Sequence, residues 1–247
     1  MKPDVIIVKV GGQAVEELDE SFFDQIKTWQ VLGNKVIIVH GGGPQISSLI
    51  SALNIDAPKI DGVRVTNDAA ISIVESVLIG MVQPKLLAKL GSNGIDASSL
   101  NTMNFNHFEG QYLNFEKFGL VGELTKVWIK NEELNDPSVV SVVAPIINGT
   151  SGKKLNVNAD TFAAALAKLI AADKLLFLTD VPGVMKEHKT IANLSETEAT
   201  QLYDLGIITD GMMPKIQAAI DAFKAGVGSV QIKGNVMGDG TEIVAMG

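Results

Sequence analysis

Cysteine is absent from the 247 residues, so neither a disulfide nor a thiolate metal site can form, and the chain suits a reducing compartment. Histidine is nearly absent, with only His40, His107 and His188, and no acid–base histidine setting is recognisable. Aromatic residues make up 5%. The apolar run in "MKPDVIIVKV" is too short for a signal peptide, and nothing in the sequence is expected to reach the length of a membrane span. Basic residues are outnumbered, 20 against 28 acidic, for a net charge of −8. That balance argues against a general nucleic-acid or anionic-membrane surface, although a site can be locally positive inside an acidic protein. Two phosphate-binding signatures are also missing: no G-x-x-x-x-G-K-[ST] and no G-x-G-x-x-G occurs.

What is present is ordinary globular composition, 46% hydrophobic and 19% charged, enough for one large α/β domain or two closely joined lobes in the cytoplasm. Short β-branched runs, "DVIIVKV", "KVIIVH", "SVVSVVAPII", "KLLFLTD" and "VGSVQIKG", alternate with helical patterns. Strands that are apolar throughout are covered on both faces, as in a parallel sheet between helices. The spacing predicts a helix over 44–53 with Ile46, Leu49, Ile50 and Leu53 on one face, and another over 214–225 with Ile216, Ala219, Ile220 and Phe223. "SETE" at 195–198 reads as a capping box that opens a helix ending at Gly206. Residues 67–82 are apolar nearly all round, which fits either a central core helix or one facing a partner subunit. Residues 100–130, richer in Asn and aromatics, break the rhythm and read as β-hairpins or a flap over the sheet. The expected fold is therefore α/β: three layers, an open, mainly parallel sheet sandwiched by helices.

Glycine is concentrated where such a sheet binds ligands, beyond the carboxyl ends of its strands. "KVGGQA" follows the first strand and "VHGGGPQ" the second. A tight strand-to-helix turn explains one or two glycines. Two bare turns at adjacent strand ends favour backbone N–H groups aimed at an anion. Lys9 sits in an otherwise apolar strand and Lys215 in the first turn of a helix, where the macrodipole disfavours a cation. Either lysine alone reads as a solvated surface residue; together they are what a polyphosphate would compensate. In "LNVNAD", Asn158 and Asp160 either cap the helix that follows or hold ammonium groups with a carboxylate.

With these residues assembled, the chain resembles the amino-acid kinase family. The matching blocks are "KVGG", "VHGGGPQI", "GVRVT", "GLVGELTKV", "LNVNAD", "LTDVPGV" and "GIITDGMMPKI", in family order from the first strand to the final "EIVAM". "GVRVT" with "NVNAD" points to the branch that acts on acetylated glutamate. The resemblance implies transfer of the γ-phosphoryl group of ATP to the side-chain carboxylate of N-acetyl-L-glutamate, for arginine biosynthesis. It implies that Lys9 and Lys215 stabilise the moving phosphoryl group and that Asp160 orients both. It places Gly42, Gly43, Arg64, Asn156 and Asn158 around the acetylated amino acid. On the ATP side it places Gly11, Gly12 and Gly41, then Thr179, Asp180, Gly183 and Val184, then Ile208, Thr209 and Met212. Magnesium would be held by phosphate oxygens and water, with no protein carboxylate as metal ligand. Residues 1–172 would form a lobe for the acetylated amino acid and for dimerisation, and 173–247 a lobe for ATP. The resemblance further implies a homodimer joined through helix 67–82. Arginine-inhibited relatives carry an additional N-terminal helix, so inhibition by arginine is not expected here. "QPKLL" at 83–87 departs from the family pattern, with Pro84 placed to start a new helix, and 101–118 is individual. Two other readings remain: the same chemistry on N-acetyl-aminoadipate, one methylene longer, and a non-catalytic amino-acid or nucleotide-binding regulator.

Overall fold

A computed structural model of the chain describes residues 3–101, 107–129, 136–209 and 211–245. Val5–Val10 (β1) turns through Gly11 and Gly12 into the short helix Ala14–Glu17 (α1) and then Glu20–Val31 (α2), whose N-cap Asp19 accepts from the Phe22 N–H. Lys35–His40 (β2) turns through the second glycine run into Gly43–Ala52 (α3), with Pro44 in the first turn, where a missing N–H costs nothing. A hairpin of Lys59–Ile60 (β3) and Val63–Arg64 (β4) precedes Asp68–Val77 (α4), a π-helical turn Leu78–Val82, Gln83–Ser92 (α5) and Ala97–Ser99 (β5). Phe108–Tyr112 (β6), Phe115–Phe118 (α6), Gly122–Val127 (β7), Val140–Val143 (β8), Ile146–Gly149 (β9) and Lys154–Asn156 (β10) lead to the helix Ala159–Leu169 (α7). Lys174–Leu178 (β11), the hairpin Met185–Lys186 (β12) and Lys189–Thr190 (β13), and Asn193–Leu194 (β14) come next. Glu196–Asp204 (α8), Met213–Lys224 (α9), Ser229–Lys233 (β15) and Gly240–Ile243 (β16) complete the chain.

Eight strands form the main sheet in the order β14-β16-β15-β11-β1-β2-β8-β5, and only β15 and β16 pair antiparallel. β1 lies at its centre, with Val8 opposite Ile38 on one side and Leu176 on the other. Alternate residues face opposite layers. Ile7, Ile37 and Phe177 pack with Phe162 and Leu166 of α7 and Ile216 and Ile220 of α9. Ile6, Val8 and Ile38 pack with Phe22 and Ile26 of α2, Ile46 of α3, Val74 of α4 and Leu86 of α5. Burial on both faces is why these strands are apolar without alternation. A smaller sheet, β10-β9-β6-β7, sits beside the first.

Two segments differ from their sequence reading, and a third matches it where it is described. "SVVSVVAPII" is two strands rather than one, because the chain turns sharply at Ala144–Pro145, with the Ile146 N–H bonded to the Ala144 carbonyl at 2.8 Å. β8 therefore joins the main sheet and β9 the smaller one. The apolar helix does not stop at 82: Pro84 lies in the first turn of α5, as expected, but α5 follows the π-helical turn without a break, so one helix runs on to Ser92. A proline removes one bond of an α-helix and collides with the carbonyl four residues back. Here the wide turn, in which the Gln83 N–H reaches the Leu78 carbonyl, carries the chain past it. The resulting 25-residue helix is long and apolar enough by length and composition to cross a membrane, which the separate reading of its halves did not anticipate. Its Val74, Val77, Leu78, Leu86 and Leu90 are buried against the sheet. Of the expected hairpins in 100–130, β6 and β7 form one; residues 102–106 and 130 lie outside the described residues.

Candidate active site

The two glycine turns meet because β1 and β2 are adjacent parallel strands that end together, Val10 opposite His40. A Cβ on Gly12 would lie 2.6 Å from the Gly42 Cα, so each turn must be bare for the other to approach. A Cβ on Gly42 would also meet Leu78 Cδ2 at 2.8 Å, whereas at Gly43 it would meet nothing within 4 Å. The run of glycines thus combines backbone contact, contact with the apolar helix, and open space toward a ligand.

Above the turns stand Lys9, Lys215 and Asp160. Lys9 Nζ lies 2.8 Å and Lys215 Nζ 2.9 Å from the same oxygen, Asp160 Oδ1. Asn158, not Asp160, caps α7: its Oδ1 accepts from the N–H groups of Asp160 at 2.8 Å and Thr161 at 3.3 Å. Asp160 is left in the first turn, where a carboxylate suits the helix dipole, with its side chain directed to the lysines. Burial acts to raise the Asp160 pKa, but attraction to Lys9 and Lys215 overrides it and holds the carboxyl below its ordinary value. Lys215 is pushed below the usual lysine range by burial and then by Lys9, with Asp160 pulling the other way. Two cations share one carboxylate, so the cluster keeps an excess positive charge that an anion would neutralise.

A cavity opens on each side of this cluster, and Lys9, Gly11 and Gly12 line both. The larger, of about 490 Å³, is walled by Gln13, Glu17, Asp19, Pro44, Thr179, Asp180, Lys215, Asn235 and neighbouring residues. The smaller, of about 200 Å³, is lined by Gly41, Gly42, Gly43, Arg64, Asn156, Asn158 and Asp160 among others. Arg64 is held by Ser47 Oγ at 2.5 Å and the Ala57 carbonyl at 3.4 Å, and burial lowers its pKa. The Asn156 amide donates to Thr66 Oγ1 at 3.3 Å.

Five residues expected on the ATP side line neither cavity. A Cβ on Gly183 would lie 2.7 Å from Thr190 Cγ2, and the Val184 N–H is taken by Thr241 Oγ1 at 2.8 Å. Ile208 is in the core and Met212 packs against it, while the Thr209 carbonyl accepts from the N–H groups of Met212 and Met213 and turns the chain into α9, which carries Lys215. Sequence reasoning missed Asn235, whose amide reaches Ser21 Oγ at 3.0 Å beside the larger cavity. A lone Asn in a loop has no local signature.

The doubly covered, mainly parallel sheet makes this an α/β protein, with its paired lysines and two cavities at the carboxyl ends of the central strands. The chain belongs to the amino acid kinase family, whose sequence profile matches residues 4–234. It is 39% identical to an acetylglutamate kinase of Listeria welshimeri, over 97% of this chain and 96% of that one. It is 40% identical to an acetylglutamate kinase of Leuconostoc citreum, over 96% and 97%. Among solved structures, smu.665 from Streptococcus mutans UA159 covers 98% of each chain at 34% identity with a TM-score of 0.91. Carbamate kinase from Giardia lamblia, at 16% identity and a TM-score of 0.64, shares the fold.

Proposed function

We propose that the protein transfers the γ-phosphoryl group of ATP to the side-chain carboxylate of N-acetyl-L-glutamate, forming an acyl phosphate for arginine biosynthesis. The observation that carries this is the placement of two cavities on either side of the Lys9–Asp160–Lys215 cluster. The larger cavity takes ATP, along residues contributed by both 1–172 and 173–247, and its size is typical of a small-molecule site. The smaller takes the acetylated amino acid, with the Arg64 guanidinium for a carboxylate and Asn156 and Asn158 for its polar atoms.

The acceptor is already ionised at neutral pH, so no general base is required, which agrees with a site that holds no histidine. The chain's task is to bring two anions into line and neutralise the charge of the group passing between them. Lys9 and Lys215 supply ammonium groups, Gly11, Gly12, Gly42 and Gly43 supply backbone N–H groups, and Asp160 keeps the lysines together. This donor set fits phosphate oxygens. Its one carboxylate, Asp160, is already taken by both lysines, so the set itself offers little to a bare metal. Magnesium would be held by the phosphates and water and would neutralise part of their charge.

In this reading the protein works in the cytoplasm as a homodimer. Met81, 55% exposed on the long apolar helix, supports the dimer contact there. Light scattering that returned a monomer mass would remove the dimer. ADP release measured with N-acetyl-L-glutamate, its one-carbon-longer homologue and unacetylated glutamate tests the substrate. The expected order is acetylglutamate well ahead, and preference for the homologue would reassign the acceptor.

A further inference from the structure

Two side chains beside the glycine turns are only half satisfied. His40 is fully buried; its Nδ1 lies 3.2 Å from the Gly41 carbonyl oxygen, and its Nε2 has no partner. A carbonyl only accepts, so the proton of that bond is on Nδ1 and Nε2 is a bare, buried acceptor. Gln45 is divided in the same way. Its Nε2 donates to the Gly12 carbonyl at 3.0 Å, while its Oε1 is buried without a partner. These are the two unpartnered buried side-chain atoms among the described residues, and they flank the same three glycines. Each leaves a polar atom desolvated, a penalty that an apolar side chain of similar shape would remove. Packing therefore does not account for either residue.

The geometry points to a positioning role: His40 and Gln45 brace the two glycine turns so that the Gly42 N–H faces the junction of the two cavities. The Gly41 N–H is bonded to the Val10 carbonyl and the Gly42 carbonyl accepts from the Ile46 N–H, both at 2.9 Å, which leaves the Gly41–Gly42 peptide as the plane that can flip at little steric cost between glycines. A donor that stabilises charge must be fixed before the charge develops, so such a turn needs an external anchor. In a trans peptide the C=O and the following N–H point to opposite sides, and no cis bond occurs among the described residues. Drawing the Gly41 carbonyl to the buried imidazole turns the Gly42 N–H away from it. No acceptor among the described residues takes that N–H, and Gly42 lines the smaller cavity. Gln45 anchors the other turn through the Gly12 carbonyl. Because Gly12 and Gly42 are in backbone contact, movement of either turn displaces the other. Burial also holds the imidazole pKa down at about 4, so the ring stays neutral wherever the enzyme works.

This inference rests on the phosphoryl-transfer reading, and its test separates the two. The variants are His40→Leu, His40→Asn and Gln45→Met. Asn places an amide nitrogen one bond from Cγ, where Nδ1 sits, but leaves space behind it; Leu fills the space and cannot donate. The brace predicts that stability and turnover change in opposite directions. His40→Leu melts no lower than wild type yet loses about 10-fold or more in kcat, with KM for ATP little changed. His40→Asn melts lower yet keeps kcat within about threefold. Gln45→Met follows the leucine pattern. Wild-type kcat in His40→Leu, or equal losses in the Leu and Asn variants, would overturn the proposal. A second readout does not depend on turnover. The Gly42 amide should give one sharp NMR resonance in wild type and His40→Asn, and a broadened or doubled one in His40→Leu. An unaltered Gly42 resonance in His40→Leu overturns the brace whether or not acetylglutamate is the substrate. Absence of acetylglutamate-dependent turnover in the wild type overturns the substrate alone.

Discussion

Asp160→Asn removes the charge from the one carboxylate that two lysines share, and its effect follows from the distances. Both ammonium nitrogens lie within 2.9 Å of Oδ1. They therefore stand less than about 6 Å apart and repel by about 3 kcal/mol at an effective dielectric near 20. A neutral amide leaves that repulsion without compensation, and both lysine side chains are only 10% exposed. Removing one member of a buried ion pair typically costs about 3–5 kcal/mol, and the variant should lose that much at neutral pH. The pH dependence separates this cause from a general loss of packing. The Lys215 pKa is already lowered by burial and by Lys9, so the unfolded chain binds more protons than the folded one from that lowered value up to the ordinary lysine range. Stability contributed by this group therefore rises with pH across that window. Without Asp160 the depression deepens, so the deficit of the variant should shrink as pH is raised from about 7 towards about 10. Urea unfolding of both proteins across this range measures it. Added tripolyphosphate, which supplies the missing negative charge, should stabilise the variant more than the wild type. A deficit under about 1 kcal/mol at neutral pH, or one that grows with pH, would refute the electrostatic account.

Lys9→Met and Lys215→Met should each lower kcat by at least ~100-fold while KM for acetylglutamate moves little, and wild-type turnover in either would remove that lysine from the mechanism. Arg64→Leu should do the reverse in steady-state kinetics, raising KM for acetylglutamate by about 10- to 100-fold with kcat largely kept. The His40 imidazole has a folded pKa of about 4 against an ordinary 6.5. The unfolded chain therefore binds the extra proton first, and about 3 kcal/mol of stability should be lost as pH falls from about 6.5 to about 4. His40→Leu should lack that portion of the acid sensitivity, and an acid unfolding curve identical in shape to the wild type would contradict it.

The central strands were legible because burial on both faces leaves a local mark, an unbroken β-branched run, and β1, β2, β11 and β15 lie where those runs occur. Ser195 was legible as a cap for the same local reason, and its Oγ accepts from the Glu198 N–H at 3.3 Å. The π-helical turn before Pro84 was not legible, since a proline after an apolar stretch reads the same whether the helix restarts or widens. The division of "SVVSVVAPII" between two sheets depends on which strands pair, a long-range fact that composition does not hold. At the site, Lys9 and Lys215 drew attention because each is awkward in its own element. Their meeting on Asp160 is a property of the fold, since 55 residues separate Asp160 from Lys215. Gly183 and Ile208 carry contacts that their motifs do not announce: only coordinates place Gly183 against Thr241 and Ile208 in the core.

The central claim is that a phosphoryl group crosses the junction of the two cavities onto a carboxylate. Trapping the product with hydroxylamine tests it most directly. Purified enzyme with ATP, magnesium and N-acetyl-L-glutamate should form the γ-hydroxamate in step with ADP, and neither product should appear when acetylglutamate is omitted. ADP formation without hydroxamate, or hydroxamate formation undiminished in the Lys9→Met, Lys215→Met double variant, would contradict the account.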